Sequence, residues 1–216
     1  MRLLSLPASP RALIFDLDST LYSRPAYAAF QEEVLVERLA RERGESKSET
    51  AALIARMREE RKAAGLGRTS MGRLFAELGC DIATSVRWRG ELIEPADWLE
   101  ADPALGEALD ALSSRFALAL LTNNPREVGE KSLAALGVRE RFAVVVGLDD
   151  TMVSKPAPEP FLKTAALLGV EPSACVSIGD REDVDLAPAL ELGMGAILVE
   201  GVEEVYGLPA ALPGAQ

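Results

Sequence analysis

The sequence contains no histidine. That absence removes Ser-His-Asp and Cys-His catalysis and any His-ligated metal centre. Cysteine is scarce as well. Cys80 and Cys175 are far apart and form no metal-ligand spacing. They indicate no disulfide framework, which fits a reducing, cytoplasmic setting. Cys175 lies in an apolar, strand-like run and reads as a small buried hydrophobe. No apolar run approaches the roughly 20 residues of a membrane span. The stretch Met1 to Pro10 is too short for a secretory h-region plus cleavage site. Positive charge is in deficit, and the formal net charge is −11. A surface of that sign repels polyanions, which argues against nucleic acid and anionic membrane as partners. A small phosphate ester stays open, because local cations and backbone N–H groups decide binding inside a pocket. The chain carries no internal repeat and no low-complexity segment.

What is present is enough for a real core. Of 216 residues, 48% are hydrophobic and 26% charged, which suits one domain or one domain plus an insertion. The stretch around which the rest is organised is Leu13-Ile14-Phe15-Asp16-Leu17-Asp18-Ser19-Thr20-Leu21. Ala12 to Phe15 reads as a buried strand. Residues at i and i+2 of a strand share a side, so Asp16 and Asp18 are expected close together at its carboxyl end. Open α/β sheets bind ligands at that edge. Two carboxylates this close are costly in a dry site unless a cation or a proton relieves them. By itself, an isolated Asp-x-Asp reads as an acidic turn after a strand.

After this strand the pattern changes. From Tyr22 to about Trp98 there is no strand-like run. Tyr27, Phe30, Val34, Leu35 and Leu39 follow helical spacing. Ser46-Lys47-Ser48-Glu49 opens a second helix as a cap region. That helix runs through Leu53, Ile54 and Met57 into a charged face, Arg56 to Lys62. Gly65 to Ser70 breaks it. Met71, Leu74, Phe75 and Leu78 form a short helix stopped by Gly79, and Val86, Leu92 and Ile93 belong to another. Beyond Asp102-Pro103 strands and helices alternate. Strands are expected at 116–121, 142–146, 174–178 and 196–199, and helices at 104–112, 125–136, 158–168 and 183–192. Such alternation implies parallel strands with right-handed crossovers. The fold class is therefore α/β: a Rossmann-like parallel sheet with helices on both faces, plus a small all-helical domain. The expected division is 1–21 with 99–216 for the α/β core and 22–98 for the helical insertion. The tail after Tyr206, rich in Pro, Ala and Gly, is expected to be loosely held.

Three later segments complete a constellation with the Asp pair. They are the run Leu118 to Asn124 ending in Thr-Asn-Asn, Lys155-Pro156, and Ile178-Gly179-Asp180 followed by Asp183 and Asp185. In this order the four segments resemble the motifs of the haloacid dehalogenase (HAD) superfamily, over about Leu13 to Leu198. The resemblance implies Asp16 as nucleophile and metal ligand, and Asp18 as general acid and base that also ligates the metal through its backbone carbonyl. It implies Thr122 and Asn123 on a phosphoryl oxygen, and Lys155 offsetting the charge of Asp16 and the phosphate. Asp180 becomes the third metal ligand, with Asp185, or alternatively Asp183, supporting the metal. Mg²⁺, a hard cation that prefers oxygen donors, is the implied cofactor. The helical insertion resembles the family's substrate-selecting cap. Tyr22, Arg24, Arg68, Thr69 and Arg73 are then candidates for substrate contact.

The residues also admit plainer readings. Thr122 can cap the helix at Pro125, Asn123 and Asn124 are turn formers, and Thr20 supports its loop by a hydroxyl bonded to local backbone. The expected function is a Mg²⁺-dependent phosphatase acting on a small phosphorylated metabolite through an aspartyl-phosphate. Nucleotides, phosphoglycolate and sugar phosphates are the substrate classes, and a monomer or homodimer is expected. A phosphomutase would use the same residues. A 2-haloacid dehalogenase or a non-enzymatic phosphate-binding protein fits less well, because dehalogenating members of the family lack an acid at the position of Asp18.

Overall fold

A computed structural model describes residues 1–65 and 70–212. Its sheet has six strands: β1 (Arg2–Ser5), β2 (Ala12–Phe15), β3 (Ala117–Leu121), β4 (Val144–Val146), β5 (Cys175–Gly179) and β6 (Gly195–Leu198). Their order is β1-β6-β5-β2-β3-β4. β2 is central and lies parallel to both β3 and β5, with Ala12 opposite Ala117 on one side and Cys175 on the other. All four of its residues are buried. A strand covered on both faces reads as an unbroken apolar run, which is why it is legible in sequence.

β1 was not anticipated. It pairs antiparallel with β6 at the sheet edge, with its register shifting between Leu3 and Ser5. Its residues are exposed or half-buried, so no apolar run marks it. The remaining neighbours are parallel, as the alternation requires.

Between β2 and residue 94 the described residues form four α-helices: α1 (Pro25–Arg43), α2 (Lys47–Ala63), α3 (Met71–Glu77) and α4 (Ile82–Leu92). The chain divides into two compact units, residues 1–24 with 94–212, and Pro25–Ile93. Within the helical unit α1 packs on α2 and α4. Its buried stripe includes Tyr27, Gln31, Leu35 and Leu39. α2 opens with a capping box: the Glu49 N–H donates to Ser46 Oγ at 3.2 Å and the Ser46 N–H to Glu49 Oε2 at 2.9 Å. Phe75 meets Trp88 edge-on at 6.5 Å in this unit's core. Arg68 and Thr69 lie outside the described residues.

In the α/β unit the chain continues with α5 (Pro103–Ser113), α6 (Arg126–Ala135), α7 (Leu148–Thr151), α8 (Pro158–Leu168), α9 (Ala187–Glu191), α10 (Val202–Val205) and α11 (Leu208–Ala211). Ala12 and Ile14 share one core cluster with Ala119, Leu121, Phe161, Ala165 and Ala189, so α8 and α9 cover that face. Leu13 and Phe15 point the other way, where Phe15 meets Phe142 edge-on at 6.0 Å.

The helix expected over 183–192 forms, opening as a wide π-type turn at Glu182–Leu186 and continuing as the short α9, and only the expectation of a loosely held tail is corrected here. Pro188 has no N–H to donate to residue 184, so the regular ladder is broken just where the turn widens. The tail is held through Leu212: Leu208 and Leu212 are buried, and Arg115 donates to the carbonyls of Pro209 at 3.1 Å and Leu212 at 2.6 Å. Among the described residues no helix is long and apolar enough to cross a membrane.

Candidate active site

Parallel strands deliver their carboxyl ends to one edge, and the acidic residues collect there. Asp16 follows β2, Thr122 follows β3 and Asp180 follows β5. The Asp16 N–H still pairs with the Ile178 carbonyl at 2.8 Å, which carries the β2–β5 register one residue past the strand. Side-chain oxygens of Asp16, Asp180 and Asp185 lie within 4.8 Å of one another.

Lys155 enters this group from the loop between α7 and α8. Its side chain is buried, and Nζ donates to Asp16 Oδ1 at 2.6 Å, to Asp185 Oδ1 at 2.6 Å and to the Leu121 carbonyl at 2.9 Å. Three acceptors satisfy the three donors of an ammonium. Burial alone would push this amine toward neutrality, but the carboxylates of Asp16 and Asp185 outweigh it and hold its pKa above the ordinary lysine value. Asp16 bears the cost on the other side. Burial first, then the like charges of Asp185 and Asp18, push its carboxyl up to about 8 despite the Lys155 ammonium. Asp180 is pushed up to about 6, again by burial and then by Asp185.

The wide turn at Glu182–Leu186 selects which acid faces inward. Asp185 is buried, accepts from the Arg181 N–H on Oδ2 at 3.2 Å, and has its own carbonyl held by the Ser177 hydroxyl at 2.8 Å. Gly179 leaves room for it: a Cβ there would sit 2.6 Å from Asp185 Cβ. Asp183, the alternative read from sequence, is exposed and lies 3.6 Å from the Arg181 guanidinium.

The Thr122-Asn123-Asn124 turn works as a bracket. Asn123 Oδ1 accepts from the Lys155 N–H at 2.8 Å and its Nδ2 donates to the Lys155 carbonyl at 3.2 Å. Asn124 Nδ2 donates to Asp18 Oδ2 at 2.9 Å. Thr122 is buried and its Oγ1 accepts from the Asn124 N–H at 3.1 Å, so it closes this turn and does not cap α6. Both asparagine contacts were invisible in sequence, where the pair read equally as turn formers.

Asp18 is near Asp16 but outside the three-carboxylate group. Its Oδ1 accepts from the Tyr22 hydroxyl. The loop between them passes through Ser19 in the left-handed region (φ +61°), and the Leu21 N–H returns to the Leu17 carbonyl at 2.9 Å. Thr20 departs from expectation. Its hydroxyl is fully buried and, among the described residues, has no hydrogen-bond partner. Arg24 is exposed and pairs with Glu100 at 3.0 Å. A cleft of about 320 Å³ beside Tyr22 is lined also by Arg24, Leu99, Glu100, Asp102 and Tyr206, away from the acidic group. Arg73 is an exposed residue of α3.

A family model for haloacid dehalogenase-like hydrolases matches residues 10–193. The chain belongs to that family. This accounts for the fold and for the four ordered segments that meet at the sheet edge. A phosphoglycolate phosphatase of Salmonella paratyphi A is 37% identical over 105 residues, which cover 48% of this chain and 41% of that protein. The chain thus spans less than half the length of this curated relative. A HAD phosphatase from Thermococcus onnurineus superposes with a TM-score of 0.63 at 24% identity, covering 94% of this chain and 98% of that one. A 2-haloacid dehalogenase from Pseudomonas syringae pv. Tomato superposes at 0.56 with 21% identity, covering 93% and 97%. Phosphatase and dehalogenase share this HAD fold, so chemistry within the family has to be read from the site.

Proposed function

We propose that this HAD-family chain is a Mg²⁺-dependent phosphatase that hydrolyses a small phosphomonoester through an aspartyl-phosphate on Asp16. The observation that carries the reading is the group of Asp16, Asp180 and Asp185 oxygens within 4.8 Å, to which Lys155 brings one positive charge. Three carboxylates and one ammonium leave a net negative site that a phosphate dianion could not enter unaided. An all-oxygen donor set suits Mg²⁺. Asp16, Asp180 and the Asp18 carbonyl would hold it, with Asp185 in support. When bound it would supply charge neutralisation of the phosphoryl oxygens.

The protein's own residues carry the steps. A carboxylate oxygen of Asp16 attacks phosphorus, forming an O–P bond while the ester P–O bond breaks. Asp18, protonated, gives its proton to the departing alkoxide. Water then attacks the same phosphorus and loses a proton to Asp18. The Asp16–phosphorus bond breaks and inorganic phosphate leaves. Lys155 offsets the charge of Asp16 and the phosphoryl oxygens, and Thr122 hydrogen-bonds a phosphoryl oxygen, during both displacements. The presence of Asp18 favours this chemistry over carbon–halogen cleavage. The helical unit Pro25–Ile93 serves as the cap that selects the substrate, with Arg68 as a candidate contact. Phosphoglycolate is the first substrate to try, because the matched curated relative bears that activity in its name.

The deciding experiment measures inorganic phosphate released from phosphoglycolate, sugar phosphates and nucleotides, with Mg²⁺ and with chelator. Mg²⁺-dependent release that is abolished by Asp16→Asn supports the reading. Isomerised product with negligible phosphate release would make the chain a phosphomutase. Halide release from haloacids in chelator would make it a dehalogenase.

A further inference from the structure

We propose that Tyr22 and Asn124 are positioning residues that hold the Asp18 carboxylate in one plane for proton transfer. This rests on Asp18 acting as acid and base. The two donors address different oxygens: the Tyr22 hydroxyl donates to Oδ1, and Asn124 Nδ2 donates to Oδ2 at 2.9 Å. An aspartate's terminal torsion is soft, so a single hydrogen bond leaves the plane free to turn. One donor on each oxygen fixes it.

The donors are themselves held. Tyr22 is 4% exposed and Asn124 is 3% exposed. Tyr22 is returned to Asp18 by the turn at Leu17–Leu21 and a parallel bridge between residues 18 and 22. Asn124 is anchored through its backbone, whose N–H reaches Thr122 Oγ1 at 3.1 Å and whose carbonyl accepts from the Leu148 N–H at 2.9 Å. Two buried donors on independently anchored segments, 106 residues apart in the case of Asn124 and Asp18, make a rigid cradle. Proton transfer depends on such placement, because misplacing a reacting group by about 1 Å can cost about 100-fold in rate. The phenol of Tyr22 is thus assigned to Asp18 and not to substrate.

The test compares phosphoglycolate, whose alkoxide is a poor leaving group, with p-nitrophenyl phosphate, whose phenolate leaves without a proton. Tyr22→Phe keeps the ring and removes the hydroxyl. The ratio of kcat on phosphoglycolate to kcat on p-nitrophenyl phosphate should fall about tenfold or more, with KM for phosphoglycolate unchanged; general acid–base catalysis contributes about 10²–10⁴-fold in all. Asn124→Ala should lower the same ratio. In an Asp18→Asn background Tyr22→Phe should cost nothing further, because the group it positions is gone. Equal losses on both esters, a raised KM alone, or a further loss in the Asp18→Asn background would overturn the positioning role. If Asp18→Asn itself lowers both esters equally, the acid–base reading fails and this inference falls with it. If only Asp18→Asn is selective, the reading stands and the positioning role alone is refuted.

Discussion

Asn123 grips Lys155 by the backbone from both sides, accepting its N–H at 2.8 Å and donating to its carbonyl at 3.2 Å. The arrangement imitates a strand pair made by one side chain. It sets where the Lys155 ammonium emerges beneath Asp16 and Asp185. Replacing Asn123 by Ala removes both bonds. At about 0.5–1.5 kcal/mol each, the folded state should lose about 1–3 kcal/mol in urea denaturation. Turnover should drop about tenfold or more as Lys155 loses its register. Unchanged stability together with unchanged kcat would show that the loop is held by other means.

Lys155 is buried between two carboxylates, so its removal should be costly. Lys155→Met leaves Asp16 and Asp185 without their shared cation. Breaking a buried pair from one side costs about 3–5 kcal/mol. In chelator the loss should be smaller near pH 5 than near pH 8, because protonation of Asp16 relieves it. A loss independent of pH would mean that packing of the lysine stem, and not its charge, is what matters.

The metal-free protein should lose stability as pH rises from about 5 to about 8. Asp16 and Asp180 ordinarily titrate near 3.8, and burial raises them in the fold to about 8 and about 6. A carboxyl raised on folding binds its proton more tightly in the folded state. Its stabilisation is full below the unfolded value and is lost as pH climbs through the folded value. Melting temperatures in chelator should therefore fall across this window, and Asp16→Asn should flatten the slope. Mg²⁺ should restore more stability at pH 8 than at pH 5. A flat or rising melting profile in chelator would contradict the raised values.

Gly179 abuts Asp185, and a methyl group has nowhere to go. A Cβ would meet Asp185 Cβ at 2.6 Å and Cγ at 2.8 Å. Gly179→Ala should cost about 1–3 kcal/mol by overpacking and lower turnover by displacing Asp185 from Lys155. Gly72→Ala, in α3 with nothing among the described residues within 4 Å of the added methyl, is the control. It should be neutral or stabilising by up to about 1 kcal/mol. Equal effects from both substitutions would refute the steric account.

The sequence by itself determined the α/β alternation, the helical insertion and the strand-end positions of Asp16, Thr122 and Asp180. These rest on short-range rules: a doubly covered strand must be apolar throughout, as Ala12 to Phe15 is, and a helix start needs a cap, as Ser46 and Glu49 supply. Membership of the HAD family was legible for the same reason, because three of its four motifs sit where parallel strands end. Only the tertiary structure decided the edge strand Arg2–Ser5, since an exposed strand needs a partner but no apolar pattern. It also decided Asp185 over Asp183 as the acid that joins Asp16 and Asp180, through a wide turn ahead of Pro188 and the Ser177 hydroxyl. The partners of Asp18 and Lys155 belong here too. Asn124 lies 106 residues from Asp18, and Asn123 lies 32 residues from Lys155. Hydrogen bonds between segments this far apart leave no mark in local spacing; they exist only once the fold has brought those segments together.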